Sequence, residues 1–206
     1  MKHLYLFILC ITTIVFAQNK MQLQDGDLIF QDMDCGPLCD AIEAVTEGYN
    51  GNDFSHMGMV CHRNDTLYII EAAGKAVRLN TLEKFSKNTS KPMYVGRLKK
   101  QYQKLIPQAI AFSLRQLGVP YDTEYVYNNG SYYCSELIYD AFKSANKNKP
   151  FFELFPMTYK RPGTQDFFPA WVEYYKKIGK PIPEGLPGCN PGGISTSNKI
   201  EIVGTL

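Results

Sequence analysis

Residues 55–73 read SHMGMVCHRNDTLYIIEAA. Two β-favouring runs, SHMGMVCH and TLYIIEAA, flank the polar break Arg63-Asn64-Asp65, and that arrangement is a hairpin signature. The hairpin also sets a register. A two-residue turn at Arg63-Asn64 puts His56 directly opposite Glu71, with Cβ atoms about 5 Å apart. A turn at Asn64-Asp65 makes them diagonal neighbours on one face, and only an odd slip or a bulge separates them across the sheet. In either even register the carboxylate can accept from one imidazole nitrogen and fix the ring, leaving the other nitrogen for a nucleophile. A cross-strand polar pair at the sheet surface is the plainer reading of the same pattern.

Working outward, DGDLIFQ upstream reads as a turn entering a short strand over Asp27–Phe30. DCGPLCDAIEAVTEGYNG predicts a helix with Pro37 in its first turn, Leu38, Ile42 and Val45 at helical spacing, and Gly48 at its end. Downstream, Met93–Leu98 suits a further strand. QYQKLIPQAIAFSLRQLG places Leu105, Ala109, Phe112 and Leu117 at roughly helical spacing and stops at Gly118, with Pro107 tolerable only in the first turn. CSELIYDAFKSA carries a core-facing stripe of Leu137, Ile138, Ala141, Phe142 and Ala145. The Pro-, Gly- and aromatic-rich C-terminal stretch reads as an ordered wrap with one helix over Ala170–Ile178. The plan is α+β, a small antiparallel sheet with helices packed on it.

The N-terminal MKHLYLFILCITTIVFAQ has the basic start, apolar run and small-residue end of a secretory signal over residues 1–17. Bulky Leu9 before Cys10, and the apolar run beyond it, argue against a lipid-modified cysteine. One domain over residues 18–206 is expected, exported to the periplasm or the extracellular space. No later run reaches the roughly 18 apolar residues of a membrane helix, so no stable membrane insertion is expected. With Lys2 assigned to the leader, the 22 basic residues fall to 21 against 20 acidic ones. That balance makes nucleic acid and anionic membranes poor partners. Aromatic residues at 13% argue for a packed core rather than disorder.

The expected mature chain keeps Cys35, Cys39, Cys61, Cys134 and Cys189. An odd count in an exported protein leaves at least one thiol unpaired within the monomer. Cys35, Cys39, Cys61 and His62 include metal-ligand types, but they lack a Cys-x2-Cys pair and the compartment is oxidising, so no metal is expected. Of three histidines, His3 leaves with the leader and His62 falls at the hairpin turn, where exposure is expected. His56 remains. If CSELIYDAF is a helix, Cys134 sits at its N-terminus, where unpaired N–H groups and the helix dipole favour a thiolate and can receive an oxyanion. A disulfide from Cys134 to Cys61 or Cys189 competes with that reading. Ser135 is a weaker nucleophile candidate, because no Gly-x-Ser-x-Gly elbow surrounds it.

GDLIF, SHMGMV, YIIEAA, GVPYD and YYCSEL, in this order, resemble the permuted papain-like cysteine hydrolases, the YaeF/YiiX-type branch of the NlpC superfamily. PIPEGLPGCNPGG is similar to the Pro/Gly-rich tail of such proteins. In this branch the histidine strand precedes the cysteine, as His56 precedes Cys134. The resemblance implies a circularly permuted papain-like (NlpC-type) fold, Cys134 as nucleophile, His56 as general base and acid, and Glu71 orienting it. It implies that Tyr121, Asp122, Tyr133 and Ser55 line or brace the substrate cleft, and it brings no cofactor. For an exported member, the implied substrate is an amide in a cell-wall-derived peptide or a related amino-group-bearing small molecule. A lipid ester or an acyl-transfer substrate is the alternative, and an inactive binding module keeping the cleft is a further one.

Overall fold

Alternate residues of the first strands pack on opposite sides of one sheet, and this division organises the structure, a computed structural model that describes residues 21–206. The expected leader over residues 1–17 lies outside the described residues. In chain order the elements are β1 (Leu28–Gln31), α1 (Pro37–Glu43), β2 (His56–Arg63), β3 (Thr66–Ala73), β4 (Ala76–Thr81), α2 (Leu82–Ser86), β5 (Tyr94–Leu98), α3 (Ile106–Arg115), α4 (Cys134–Ala145), β6 (Phe155–Pro156), α5 (Pro169–Ile178), β7 (Pro187–Gly188), α6 (Pro191–Ser195) and β8 (Ile200–Thr205). Six strands form an antiparallel sheet in the order β4-β3-β2-β1-β5-β8, and β6 pairs separately with β7.

The hairpin forms at the second of the two possible turns. Asn64 and Asp65 take φ of 48° and 59°, the left-handed pair a tight two-residue turn needs, and Arg63 pairs with Thr66 and Met59 with Ile70. A second tight turn at Gly74-Lys75 adds β4, which sets Arg78 directly across from Glu71. Neither β4 nor β8 is expected from the sequence reading above. The alternation in AVRLNT is short and carries an arginine and an asparagine, and β8 is a C-terminal edge strand held by β5.

Leu28, Phe30, Met57, Met59, Ile70 and Ala72 pack with Leu137, Ile138, Ala141 and Phe142 of α4. On the other face Ile29, Val60, Ile69 and Val95 meet Phe85 of α2 and Met93. Each fully buried side chain of this size contributes about 1.5–3 kcal/mol, so α4 is held firmly on the sheet by its apolar stripe. A third cluster joins Ala41 of α1 to Tyr159, Trp171 and Tyr175. Two helix boundaries differ from expectation. α1 stops at Glu43 instead of reaching Gly48, because the chain tightens and the Thr46 hydroxyl donates to the Ile42 carbonyl at 3.0 Å. α3 is preceded by a 3₁₀ turn over Lys100–Leu105, which leaves Pro107 in the first turn of the α-helix.

Candidate active site

His56 opens β2 and Glu71 lies near the end of β3, diagonal neighbours in the observed register. The His56 Nε2–H donates to Glu71 Oε2 at 2.6 Å. By the alternation of β2, His56 shares its sheet face with Gly58 and Val60, and its ring centroid lies 5.6 Å from that of Phe85. Gly58 stands across from Glu71, one step beyond the Met59–Ile70 pair. A Cβ there would overlap Ile69 Cγ2 and come within 3.2 Å of Phe85 Cε2, so only glycine lets the two strands and the phenylalanine close around the pair.

Glu71 is fully buried and accepts three bonds. Its Oε1 takes Arg78 Nε–H and Asn80 Nδ2–H, each at 2.9 Å, while Oε2 takes His56. Burial alone would push this carboxyl up, but the donors His56, Arg78 and Asn80 hold it below the usual carboxylate range. Burial alone would likewise push His56 down. Its bond to the Glu71 carboxylate and the nearby Cys134 sulfur lift it instead to about 9. The ring is therefore an imidazolium at neutral pH. With Nε2 committed to Glu71, Nδ1 is the nitrogen left for Cys134.

Cys134 is the first residue of α4, entered from an extended Tyr133. Glu136, one turn in, accepts from the Asn128 N–H at 2.8 Å and the Tyr133 N–H at 3.5 Å, which ties the polar run before the cysteine to the helix start. The backbone N–H groups of Cys134 and Ser135 make no hydrogen bond among the described residues, as the first turn of a helix leaves them. Cys61, Cys134 and Cys189 are all free thiols, so neither competing disulfide from Cys134 forms. Burial pushes Cys61 up to about 11 and also raises Cys189, which keeps both protonated at neutral pH. Ser135 is occupied structurally, its hydroxyl donating to the Cys189 carbonyl at 3.0 Å.

The catalytic candidates open into a narrow cleft of about 160 Å³, lined in part by Ser55, Tyr121 and Tyr133. Ser55 Oγ accepts from the Met33 N–H at 2.8 Å and so fixes the loop after β1. Tyr133 accepts from the Cys189 N–H at 3.1 Å through its hydroxyl, and burial raises the Tyr121 hydroxyl well above its ordinary value. Asp122 is not in the cleft wall. Its carboxylate accepts from Glu124 N–H, Val126 N–H and Asn129 Nδ2–H at 2.7, 2.8 and 3.0 Å, bracing the loop that carries Tyr121 and Tyr125. Cys35 and Cys39 form a disulfide on the cleft wall, which removes two donors from the metal-ligand set weighed above. His62 lies exposed near the hairpin tip against Asp25 at 2.8 Å. Sequence reading missed Arg78 and Asn80. The signal was present in EAAGKAVRLNT, where a turn at Gly74 followed by alternation places Arg78 opposite Glu71.

Comparison with known proteins identifies the family of the chain. Residues 22–204 match the family model of the permuted papain-like amidase enzymes, YaeF/YiiX, C92 family. The uncharacterized protein YiiX of Escherichia coli K12 is 33% identical over 130 residues, an alignment that spans 60% of this chain and 59% of that protein's length. A crystal structure described as the metalloprotein yiiX from Escherichia coli O157:H7 superposes with a TM-score of 0.72 at 24% identity, covering 90% of this chain and 99% of the other.

Proposed function

Because this chain belongs to the permuted papain-like amidase family of the YaeF/YiiX type, we propose that it is an exported cysteine amidase in which Cys134 is the nucleophile, His56 the general base and acid, and Glu71 the residue that orients the imidazole. The observation that supports this most is a buried, triply bonded Glu71 that fixes His56, with Cys134 at the start of α4 on the wall of the same cleft. Glu71 and Cys134 together favour the imidazolium, and the imidazolium favours a thiolate.

Cys134 Sγ attacks the amide carbonyl carbon, and the free N–H groups of the first turn of α4 receive the developing oxyanion. The C–N bond breaks as His56 Nδ1 gives its proton to the leaving nitrogen. A water molecule then attacks the thioester while giving a proton to Nδ1, the C–S bond breaks, and the thiolate and imidazolium are restored. Tyr121, Tyr133 and Ser55 line the path of the substrate, and Asp122 acts one layer behind them.

Export is supported by the leader expected over residues 1–17 and by the Cys35–Cys39 disulfide, a bond that persists in oxidising compartments. Export in turn makes a cell-wall-derived peptide, or a related amino-group-bearing amide, the first substrate class to test. A lipid ester or acyl-transfer substrate is the second reading. It is favoured by a cleft that carries no side chain charged at neutral pH apart from the catalytic pair. The fold neighbour is called a metalloprotein, but the donors described here do not fit a metal. Both oxygens of Glu71 and the Nε2 of His56 are already bonded, and no group of three ligand-type side chains gathers elsewhere among the described residues.

The test is iodoacetamide labelling of the folded, unreduced protein across pH, with the modified residues mapped. Selective labelling of Cys134 near neutral pH, lost in His56→Ala, is the expected result. A Cys134 that reacts only after unfolding, like Cys61 and Cys189, overturns the assignment.

A further inference from the structure

The cleft extends beyond the catalytic residues into a group of aromatic side chains that the mechanism leaves unused. Trp171 and Tyr159 line it, both 2% exposed, with ring centroids 5.0 Å apart, and Tyr125 lies edge-on to Trp171 at 5.4 Å. The Trp171 Nε1–H is a buried donor with no partner among the described residues. The Tyr159 hydroxyl is also buried without a hydrogen bond of good geometry, and its neighbour Tyr175 spends its own proton on the Glu124 carbonyl at 2.9 Å. Both polar atoms are sealed among the rings, so the aromatic faces of Trp171 and Tyr159 are what the cleft wall offers.

We propose that this aromatic end of the cleft is the specificity subsite of the amidase, taking a neutral apolar group against the rings of Trp171 and Tyr159. The assignment rests on the amidase reading above. Size sets the occupant. The whole cleft, catalytic end included, is about 160 Å³, close to the roughly 150 Å³ apolar cavity that holds one benzene molecule, so its aromatic end admits at most one small ring or a short chain. Charge sets its character. Beyond the catalytic pair, Met33, Leu38, Ile42, Met157 and the Cys35–Cys39 disulfide complete the wall, and none offers a counter-ion to an ammonium or a carboxylate. The shared chemistry fits an apolar amino-acid residue in a peptide or a short acyl chain.

Trp171 is the sole tryptophan of the chain, so its emission reports occupancy directly. The test uses the full mature chain carrying Cys134→Ala, titrated with N-acetyl-phenylalaninamide, hexanamide and lysinamide. A saturable emission change with either neutral amide, and binding of lysinamide about tenfold weaker or less, is expected. A response to N-acetyl-phenylalaninamide alone identifies a peptide side chain as the occupant, and a response to hexanamide an acyl chain. Trp171→Leu, which removes the aromatic face, is expected to weaken binding of the preferred amide about tenfold by calorimetry, the scale of one aromatic contact. Tyr159→Leu serves as the second variant if Trp171→Leu does not fold. Equal or tighter binding of lysinamide, no saturable response to either neutral amide, or an unchanged affinity in the ring-deleted variant overturns the proposal. Because this protein lacks the nucleophile, an inert Cys134 in the labelling experiment would sink the amidase reading without altering these titrations.

Discussion

Glu71→Gln is the sharpest perturbation of the site, because it keeps the shape of the side chain and changes one acceptor into a donor. In the native protein all three partners of the carboxylate are donors, Arg78 and Asn80 on Oε1 and His56 on Oε2. A glutamine cannot satisfy all three. Two donors outvote one, so its oxygen stays with Arg78 and Asn80 and its amide group faces His56 Nε2. That nitrogen must then act as an acceptor, which puts the single ring proton on Nδ1 facing Cys134, and the imidazole can no longer take the thiol proton there. A hydrogen bond between charged groups is worth about 1.5–3 kcal/mol, equivalent to about one to two pH units. The His56 titration is therefore expected to fall from about 9 toward 7. The pH profile of iodoacetamide labelling of Cys134 should lose its high-reactivity plateau accordingly, and amide turnover should drop by about a thousandfold or more, as inversion of an imidazole tautomer does in other triads. An Arg78→Ala variant, which removes a donor but leaves the carboxylate, should lose far less. Glu71→Gln with a wild-type labelling profile and turnover within a few-fold of wild type would refute this account of the carboxylate.

Cys134→Ser should abolish turnover and leave the thermal unfolding midpoint within a few degrees of wild type, since the thiol makes no disulfide; unchanged turnover would move the nucleophile elsewhere. Stability should follow pH through the buried pair. His56 is raised from 6.5 to about 9, so its contribution, on the order of 3 kcal/mol, is complete below pH 6.5 and lost as pH rises through 9. Glu71 is lowered from 4.5, so its contribution is complete above 4.5 and lost as pH falls further. The difference in urea stability between wild type and His56→Gln should therefore shrink steadily from pH 6.5 to 9, and a flat difference would contradict the raised value. Gly58→Ala should cost about 1–3 kcal/mol through overpacking against Ile69 and Phe85, read from the urea midpoint; a neutral result would mean the strands relax freely there. Cys35→Ser with Cys39→Ser closes no loop in the unfolded chain and should cost about 2 kcal/mol for a sequence separation of 4.

The hairpin, the nucleophile helix and the sheet plan were legible because each rests on a local period. β-favouring runs around Arg63-Asn64-Asp65 and the Leu137, Ile138, Ala141, Phe142 stripe speak through neighbouring residues alone. The His56–Glu71 contact was legible for a subtler reason. Both possible even registers keep the two on one face, so the ambiguity of the turn did not matter, and the diagonal register that formed still brings them to 2.6 Å. What the sequence withheld depends on distant chain segments. Asp122 sits beside Tyr121 in GVPYD, yet it turns to three donors in its own loop while the tyrosine faces the cleft. Trp171 and Tyr159 reach the cleft only because α5 packs on α1, and no spacing in the sequence announces that meeting.

The two halves of the cleft follow from one electrostatic condition. Burial opposes the charged forms of Glu71 and His56, and it also strengthens the bonds that offset this cost, because the same bonds in a wet site would be screened. Phe85 packs beside the histidine, and the aromatic wall around Trp171 belongs to the same cleft. That wall cannot then accept an ionic side chain without supplying a counter-ion, and a counter-ion placed there would compete with Glu71 for the imidazolium. A site whose catalytic ion pair is held by buried bonds thus keeps charged groups of a substrate, a free amino group included, away from that wall. Introducing a carboxylate into the wall, for example Met157→Glu, should both admit lysinamide and change the labelling profile of Cys134. If lysinamide binding could be gained with the profile unchanged, dryness and charge pairing would be independent features of the site rather than one.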